Sequence, residues 1–326
     1  MAEILSADAI DFSKYYRETE ASAKVRPASV FADELRREFA EKPKGRGDGA
    51  MHSTKLGRRI EFRPGEVTAW AGYNGHRKSM FTGQVALDLC AQDRRVMLAS
   101  FEMQPSRSLA RMARQWCGAH RPADSRLDEF SEWTDSRLWL FDHIGRISPA
   151  QVMAVCKFFA DERKGDQVVI DSMMMVCASE ESLDEQKQFM TDLVRLAQET
   201  GLHVHLVTHC RKPQSGDESK PPTKYDLRGS AAISDQAHNV ITVWANQEKR
   251  EVMEQGMSHA KYHEVKDHPD AVVAICKQRN GSFEGKTKLW FHSPSMRFTD
   301  EQCESVAPYG WTLQDARTPA HFGGQA

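Results

Sequence analysis

Short apolar segments alternate with longer amphipathic ones from Glu66 to Thr208. The five short segments are rich in β-branched and aromatic residues and cover residues 66–71, 95–100, 138–142, 167–171 and 203–208. The longer segments between them carry apolar residues at helical spacing. Parallel strands need crossover connections, which helices supply, so the alternation predicts an α/β fold with a mostly parallel central sheet flanked by helices. Later apolar segments at 239–245, 271–276 and 287–292 predict antiparallel C-terminal strands.

The two ends of the chain follow a different pattern. Phe31, Leu35 and Phe39 form one apolar stripe at i, i+4 and i+8, and the Pro- and Gly-containing segment KPKGRGDG follows it. This predicts one amphipathic helix on a flexible tether, docked on its own domain or on a neighbouring subunit. We therefore expect an N-terminal arm over 1–50, a main domain over 51–299 and a loosely ordered tail over 300–326.

Composition narrows the class of protein. The 326 residues are 40% hydrophobic and 28% charged, with a net charge of -2. No segment reaches the roughly 18 apolar residues of a membrane span, and the N-terminus lacks the pattern of a signal peptide. Seven cysteines without zinc-type spacing fit a reducing compartment. We expect a cytoplasmic globular protein with no membrane partner; a local basic track for DNA stays open.

The segment AGYNGHRKSM, residues 71–80, approaches a phosphate-binding loop of the form G-x-x-x-x-G-K-[ST]. It lies between a predicted strand and a predicted helix, where backbone N–H groups and the positive helix end face a phosphate. Lys78 is expected to reach the β- and γ-phosphates of ATP, and the Ser79 hydroxyl to bind Mg²⁺. The nucleotide-binding residues are expected to be Gly72, Tyr73, Asn74, Gly75, His76, Arg77, Lys78, Ser79 and Asp171. A surface turn that happens to contain these residue types is the alternative.

Three further side chains follow predicted strands at the same sheet edge. Asp171 ends the strand QVVID and is expected to hold Mg²⁺, with Ser79 as the other metal ligand. Glu102 lies just beyond the second strand, where it can orient or deprotonate the attacking water. His209 leaves the fifth strand and can hydrogen-bond a γ-phosphate. Each has an ordinary structural alternative, as a strand-exit or solvated loop residue.

Arg77 departs from the loop pattern, which has glycine immediately before the lysine. The chain approaches the phosphate closely there, so a Cβ atom tends to collide. The arginine either turns out to solvent or pairs with phosphate itself. The sequence does not decide between these outcomes, and nucleotide turnover depends on the answer.

The order of motifs resembles the hexameric replicative helicases of the DnaB type, with a RecA-like ATPase domain, and especially the helicase half of phage primase-helicases. The segments that carry the resemblance are FEMQPSRSLARM, VVIDS, YDLRGSAAISDQAHNVITVWANQ and ICKQRNGSFEGKTKLWFH, within about residues 61–298. The resemblance implies that Arg279 is an arginine finger and Lys277 its companion, both acting on the nucleotide of an adjacent subunit. It also implies that the helix near Phe31 is a linker that packs on the next subunit.

The resemblance further implies DNA contacts in the loop that follows His209. In the family the D-L-R-x-S segment, here residues 226–230, touches the DNA backbone. The DNA-binding residues are expected to be Arg211, Lys212, Lys220, Lys224, Arg228 and Gly229, lining the channel of a ring. Three acidic residues dilute this basic signal, so a solvated charged loop is the alternative.

The function predicted from these motifs is an ATP- and Mg²⁺-dependent replicative DNA helicase core. We expect a homo-oligomer, a hexameric ring, that translocates on single-stranded DNA and works with a separate primase or loader in a bacterial cell, where a phage could encode it. Two alternatives stay open: a nucleotide- and DNA-binding assembly subunit that has lost hydrolysis through Arg77, and a RecA-like ATPase for recombination or loading.

Overall fold

The computed structural model describes residues 27–33, 36, 49–177, 182–213, 216–229 and 231–309. The chain divides into two compact units, Met1–Lys44 and Gly45–Ala326. In the first unit Ala28–Phe31 forms a 3-10 turn. Leu35 and Phe39 of the predicted linker helix lie outside the described residues.

The second unit is built on one nine-stranded sheet. Its strands in chain order are β1 Val67–Ala71, β2 Val96–Ser100, β3 Leu138–Leu140, β4 Gln167–Asp171, β5 His203–Val207, β6 Asn239–Ala245, β7 Ala271–Gln278, β8 Gly285–His292 and β9 Arg297–Thr299. Their spatial order is β3-β2-β4-β5-β1-β6-β7-β8-β9. Pairing is parallel from β3 to β6 and antiparallel from β6 to β9.

This topology confirms the predicted α/β fold, with one difference of detail. The segment 239–245 was expected to pair antiparallel; β6 does so with β7, but it runs parallel to β1. The chain between β5 and β6 crosses over the sheet through a long loop and a short helix, so β6 returns in the direction of β1. The short strand β9 has no counterpart among the predicted strands.

Helices cover both faces of the sheet. They are α1 Lys78–Cys90, α2 Pro105–Cys117, α3 Asp124–Thr134, α4 Pro149–Arg163, α5 Leu183–Thr200, α6 Ala232–Gln236, α7 Gln247–Gln255 and α8 Tyr262–Val265. Buried side chains of α1, α2 and α3 pack with Trp70 on one face, and those of α4, α5 and α6 pack with Ala69 on the other. No helix in the described part of the chain is long and apolar enough to span a bilayer.

Part of the C-terminal segment packs on this layered core. Tyr309 is buried, donates its hydroxyl to Asp88 Oδ1 at 2.9 Å and donates its backbone N–H to the carbonyl of Trp116. Residues 310–326 lie outside the described residues, and the domain boundaries remain predictions.

The buried side chain of His205 links β5 to its two neighbouring strands, β1 and β4. His205 Nδ1 accepts from the indole N–H of Trp70 at 3.1 Å, and its Nε2 donates to Gln167 Oε1 at 3.0 Å. One ring nitrogen accepts and the other donates, which defines a neutral imidazole. Burial, with a smaller contribution from His203, lowers the pKa of His205 well below its usual range.

His205 is therefore expected to make the fold sensitive to acid. The unfolded chain takes a proton on this residue near pH 6.5, whereas the folded chain does not, so stability falls as the pH drops below about 6.5. His205→Gln is expected to lower stability near pH 7.5 but to lose less on acidification to about pH 5.5. Denaturant unfolding at both pH values measures the free energy of unfolding of each protein. The same exchange at exposed His263 should keep the wild-type slope, and parallel slopes for His205→Gln and wild type would contradict the prediction.

Candidate functional site

The loop between β1 and α1 is shaped by close backbone approach. A Cβ atom on Gly72 would lie 2.3 Å from the carbonyl oxygen of Val243 on β6, so the position excludes a side chain. Gly75 has a φ of +77°, the left-handed region that favours glycine. The loop therefore passes tightly over the carboxyl end of the sheet and turns directly into the first turn of α1.

Lys78 is held against this loop. Its Nζ donates to the carbonyl oxygens of Gly72 and Tyr73, each at 2.9 Å, and lies 3.3 Å from His209 Nδ1. Burial lowers the pKa of Lys78, while neighbouring acidic groups oppose that shift. The ammonium group is thus held in a fixed position beneath the loop, where it can bind an anionic oxygen.

Ser79 and Asp171 form a hydrogen-bonded pair beside Lys78. Burial raises the pKa of Asp171 to about 6, whereas the Ser79 hydroxyl and the Lys78 ammonium act in the opposite direction. A carboxylate and a hydroxyl are hard oxygen ligands of the kind that Mg²⁺ prefers, usually with water and phosphate oxygens completing the shell. Among the described residues no cluster of three or more His, Cys, Asp or Glu forms a protein-only metal cage. The pair therefore fits Mg²⁺ bound together with a nucleotide.

Glu102 lies at the end of β2, and the residue after Asp171 orients it. Ser172 Oγ donates to Glu102 Oε1 at 2.7 Å. The carboxylate is otherwise exposed and lines the same cavity as Lys78. One oxygen is thus fixed by a hydroxyl, which leaves the other able to accept a proton from water in the cavity.

His209 is neutral at physiological pH in this site. Burial is the larger cause and the charge of Lys78 the second cause that lower the pKa of His209 to about 4. Because an ammonium group has no lone pair, Nδ1 must accept from Lys78 and the ring proton resides on Nε2. The imidazole can then donate a hydrogen bond to an anionic oxygen.

These side chains line one cavity of about 550 Å³ at the carboxyl edge of the parallel strands. Its lining consists of Asn74, Gly75, Arg77, Lys78, Ser79, Met80, Glu102, Arg111, Asp171, Met174, His209 and Arg228. Most of the predicted nucleotide-site residues therefore converge. Gly72, Tyr73 and His76 do not line this cavity, and the side chains of Tyr73 and His76 are buried within the loop.

Two arginines in the cavity lining had not been assigned to it from sequence. Arg111 on α2 brings a positive charge to the metal pair, which partly offsets the burial that raises the pKa of Asp171. Its segment, SRSLARM, carries part of the family resemblance, but neither that resemblance nor helical periodicity identified Arg111 as a site residue. Arg228, expected in the DNA loop, also lines the cavity, and its backbone N–H donates to the carbonyl of His209 at 2.8 Å.

The Arg77 side chain does not turn out to solvent, the first of the two expected outcomes. Its backbone occupies the left-handed region with a φ of 63° and a ψ of 25°, where glycine is normally favoured. Its side chain is half-buried and places its guanidinium carbon 3.8 Å from the ring centroid of Phe291 on β8. This cation–π contact contributes ~0.5–2 kcal/mol, comparable to the backbone strain of ~1–3 kcal/mol. Arg77 thus keeps the glycine conformation and packs its guanidinium on Phe291.

A second cavity of about 610 Å³ lies on the other side of Arg77. The guanidinium and the Phe291 ring line it, together with the ion pair between Lys249 and Asp270 at 2.9 Å. Arg77 lines both cavities, so it forms the wall between them.

Lys277 and Arg279 lie at the opposite end of the strands from Lys78. Lys277 pairs with Val240 near the start of β6, and the Arg279 N–H donates to the carbonyl of His238 just before that strand. The loop that holds Lys78 follows the far end of β1, about 15 Å away along the strands. Within one chain these two groups are therefore not brought to the nucleotide cavity.

The side chains of Lys277 and Arg279 differ in their surroundings. Lys277 Nζ donates to three carbonyl oxygens at the C-terminal end of α6, those of Ser234, Asp235 and Ala237, each at 2.8 Å. Arg279 is exposed and makes one longer hydrogen bond to the Asp235 carbonyl at 3.3 Å. Lys277 therefore caps a helix, and Arg279 is available at the surface.

The loop expected to bind DNA starts beside the nucleotide cavity and is tied to it. Cys210 and Leu227 pair as an isolated antiparallel bridge that closes the loop. Glu218 from the loop lies 3.1 Å from His76 Nε2, and His76 Nδ1 accepts from the backbone N–H of Ala245. The loop therefore contacts the phosphate-binding segment directly. Arg211, Lys212, Lys220 and Lys224 lie on it, and Gly229 follows it; Ser230 lies outside the described residues.

Known proteins resemble this chain in both sequence and fold. A family model described as an AAA domain matches residues 59–215. A solved structure described as an ATPase domain covers 84% of this chain and 98% of its own, with a TM-score of 0.65 and 18% identity. A DnaB-like replicative helicase, solved in a study of its interactions with primase, covers 86% of this chain and 70% of its own, with a TM-score of 0.66 and 17% identity.

This chain has the ATPase-domain fold of DnaB-type helicases. The predicted resemblance and the RecA-like fold class are thereby confirmed. A DNA helicase/primase of Enterobacteria phage T3 is 26% identical over 210 residues, which cover 59% of this chain. The same alignment spans 37% of the phage protein, so the chain corresponds to just over a third of that relative.

Proposed function

We propose that this chain is the motor core of a replicative DNA helicase that forms a hexameric ring and moves along single-stranded DNA by hydrolysing ATP. The observation that carries the proposal is that the proposed catalytic groups lie at opposite ends of the strands. Lys78, Ser79 and Asp171 lie at one end, and Arg279 lies at the other. A complete site then needs a second copy of the chain, as in a ring.

Each group in the cavity has a role in this proposal. Lys78 and the helix end hold the β- and γ-phosphates, and His209 donates through Nε2 to a γ-phosphate oxygen. Glu102 orients a water molecule and takes its proton. Ser79 and Asp171 would hold Mg²⁺, which would neutralise phosphate charge when bound. Arg279 of the neighbouring copy stabilises the charge that develops on the transferred group.

DNA binding is assigned to the loop between Cys210 and Leu227. Its basic residues neutralise phosphates without reading bases, so binding should weaken steeply with salt. The contact between Glu218 and His76 supports coupling of this loop to the nucleotide site. A separate primase or loader is a further expected partner, in line with the relatives that are described with a primase.

Strand displacement on a forked duplex tests the proposal against its alternative, a RecA-like ATPase for recombination or loading. A helicase core separates the strands with ATP and Mg²⁺ and does not do so with a non-hydrolysable ATP analogue. ATP turnover stimulated by single-stranded DNA, but without strand separation on any fork, would favour the alternative.

A subunit without hydrolytic activity is a second candidate function, and the observation that favours it is Arg77. A long side chain at the glycine position of the loop forms one wall of the phosphate cavity. Such a subunit would bind nucleotide and DNA but not turn ATP over.

A further inference from the structure

Tyr225 is displayed at the surface of the loop that we propose binds DNA. It is 83% exposed, the highest value for any large hydrophobic side chain in the described part of the chain. An exposed aromatic ring keeps apolar area in water, which costs free energy that burial would recover. Its position therefore calls for an explanation in terms of binding.

The turn that carries Tyr225 is ordered by its own hydrogen bonds. Thr223 Oγ1 accepts from the Tyr225 backbone N–H at 3.3 Å, and Asp226 Oδ2 accepts from the Thr223 N–H and hydroxyl at 2.7 and 2.8 Å. On one side Thr242 Oγ1 donates to the Pro222 carbonyl, and on the other buried Leu227 pairs with Cys210. The ring thus projects from a hydrogen-bonded turn whose two flanking residues, Pro222 and Leu227, are both fixed to the domain.

A lysine side chain lies beside the ring. Lys224 Nζ lies 5.6 Å from the centroid of the Tyr225 ring, within reach of a cation–π contact. Lys212 and Lys220 belong to the same loop. Cationic groups interleaved with an exposed aromatic ring form the combination that binds single-stranded nucleic acid, because the charges follow the backbone while the ring stacks on a base.

We propose that Tyr225 stacks on an unpaired base of the bound DNA strand. This inference rests on the proposed DNA-binding function and adds a second kind of contact to it, since the basic residues neutralise phosphates only. In a duplex both faces of a base are covered by its neighbours, so a stacking contact favours single strands over duplex without selecting a sequence. The aromatic ring carries the contact, and the hydroxyl is dispensable.

The test compares two fluorescent oligonucleotides of equal length and charge, one of deoxythymidine and one abasic, by anisotropy with the full chain. Tyr225→Ala is expected to weaken binding to oligothymidine by roughly tenfold or more, and Tyr225→Phe to bind like wild type. On the abasic strand all three proteins should bind alike. Met257→Ala is the matched control, because Met257 is 76% exposed but lies outside the loop.

Salt dependence separates stacking from charge. Tyr225→Ala should keep the wild-type slope of affinity against salt, whereas Lys224→Ala should lower that slope by about one phosphate contact. Equal binding of Tyr225→Ala and wild type to oligothymidine would overturn the inference. So would an equal loss on both strands, or a shift in oligomeric state in sedimentation, which would assign Tyr225 to a subunit contact.

Failure of this inference is distinguishable from failure of the proposed function. If wild type binds both strands and all variants match it, stacking by Tyr225 is wrong and the helicase proposal stands. If wild type binds neither strand, the proposed function fails, and this inference with it.

Discussion

Replacement of Arg279 by alanine is expected to lower ATP turnover roughly 10³- to 10⁵-fold while leaving the stability of the chain near wild type. The large effect follows because a guanidinium that reaches the transferred phosphoryl group stabilises charge that exists only in the transition state. The small effect on stability follows because the Arg279 side chain is exposed and its one hydrogen bond among the described residues, to the Asp235 carbonyl, is long. Steady-state turnover and thermal unfolding measure the two quantities.

Mixing two inactive variants tests whether Arg279 acts on a neighbouring copy. Arg279→Ala keeps an intact nucleotide site, and Lys78→Ala keeps an intact finger. Rings formed from both should contain some interfaces with Lys78 on one side and Arg279 on the other, so turnover should partly return on mixing. Persistent inactivity of mixed rings, with assembly verified, would contradict action between subunits.

Lys277 provides a useful contrast at the same sheet edge. Its ammonium group caps three carbonyl oxygens of α6, so Lys277→Ala exposes an uncapped helix end. We expect this variant to lose stability as well as turnover. A loss of turnover in Arg279→Ala without that loss of stability therefore separates the chemical role from the structural one.

Replacement of Glu102 by glutamine is expected to lower turnover roughly 10²- to 10⁴-fold with little change in nucleotide affinity. The amide keeps the hydrogen bond with Ser172 but cannot take a proton from water. Turnover and the binding of a fluorescent ATP analogue should be measured on the same preparation. Glu132→Gln, at an exposed position on α3, is the matched control. Wild-type turnover in Glu102→Gln would remove Glu102 from the mechanism.

The parts of the site that could be predicted follow from one rule of sheet geometry. Asp171 ends a strand that the apolar pattern identified, Glu102 and His209 each follow one, and the carboxyl ends of parallel strands meet at one edge of the sheet. Their convergence on Lys78 therefore needed no knowledge of side-chain packing. Assignment of Lys277 and Arg279 to another subunit came from the resemblance alone.

The parts that could not be predicted depend on contacts between distant segments. The course of the Arg77 side chain is set by Phe291, more than 200 residues later in the chain. The entry of Arg111 into the cavity depends on how α2 is rotated against the sheet, which periodicity does not fix. Arg228 faces the cavity because its backbone pairs with His209.

Steady-state ATP hydrolysis, with and without single-stranded DNA, tests the central claim most directly when wild type is compared with Lys78→Ala and Arg77→Gly. The account predicts turnover in wild type that DNA stimulates and that Lys78→Ala abolishes, because Arg77 keeps the glycine conformation and stacks on Phe291. Arg77→Gly should then resemble wild type. Turnover at the Lys78→Ala background in wild type, with activity appearing only in Arg77→Gly, would contradict the account and identify a silenced ATPase.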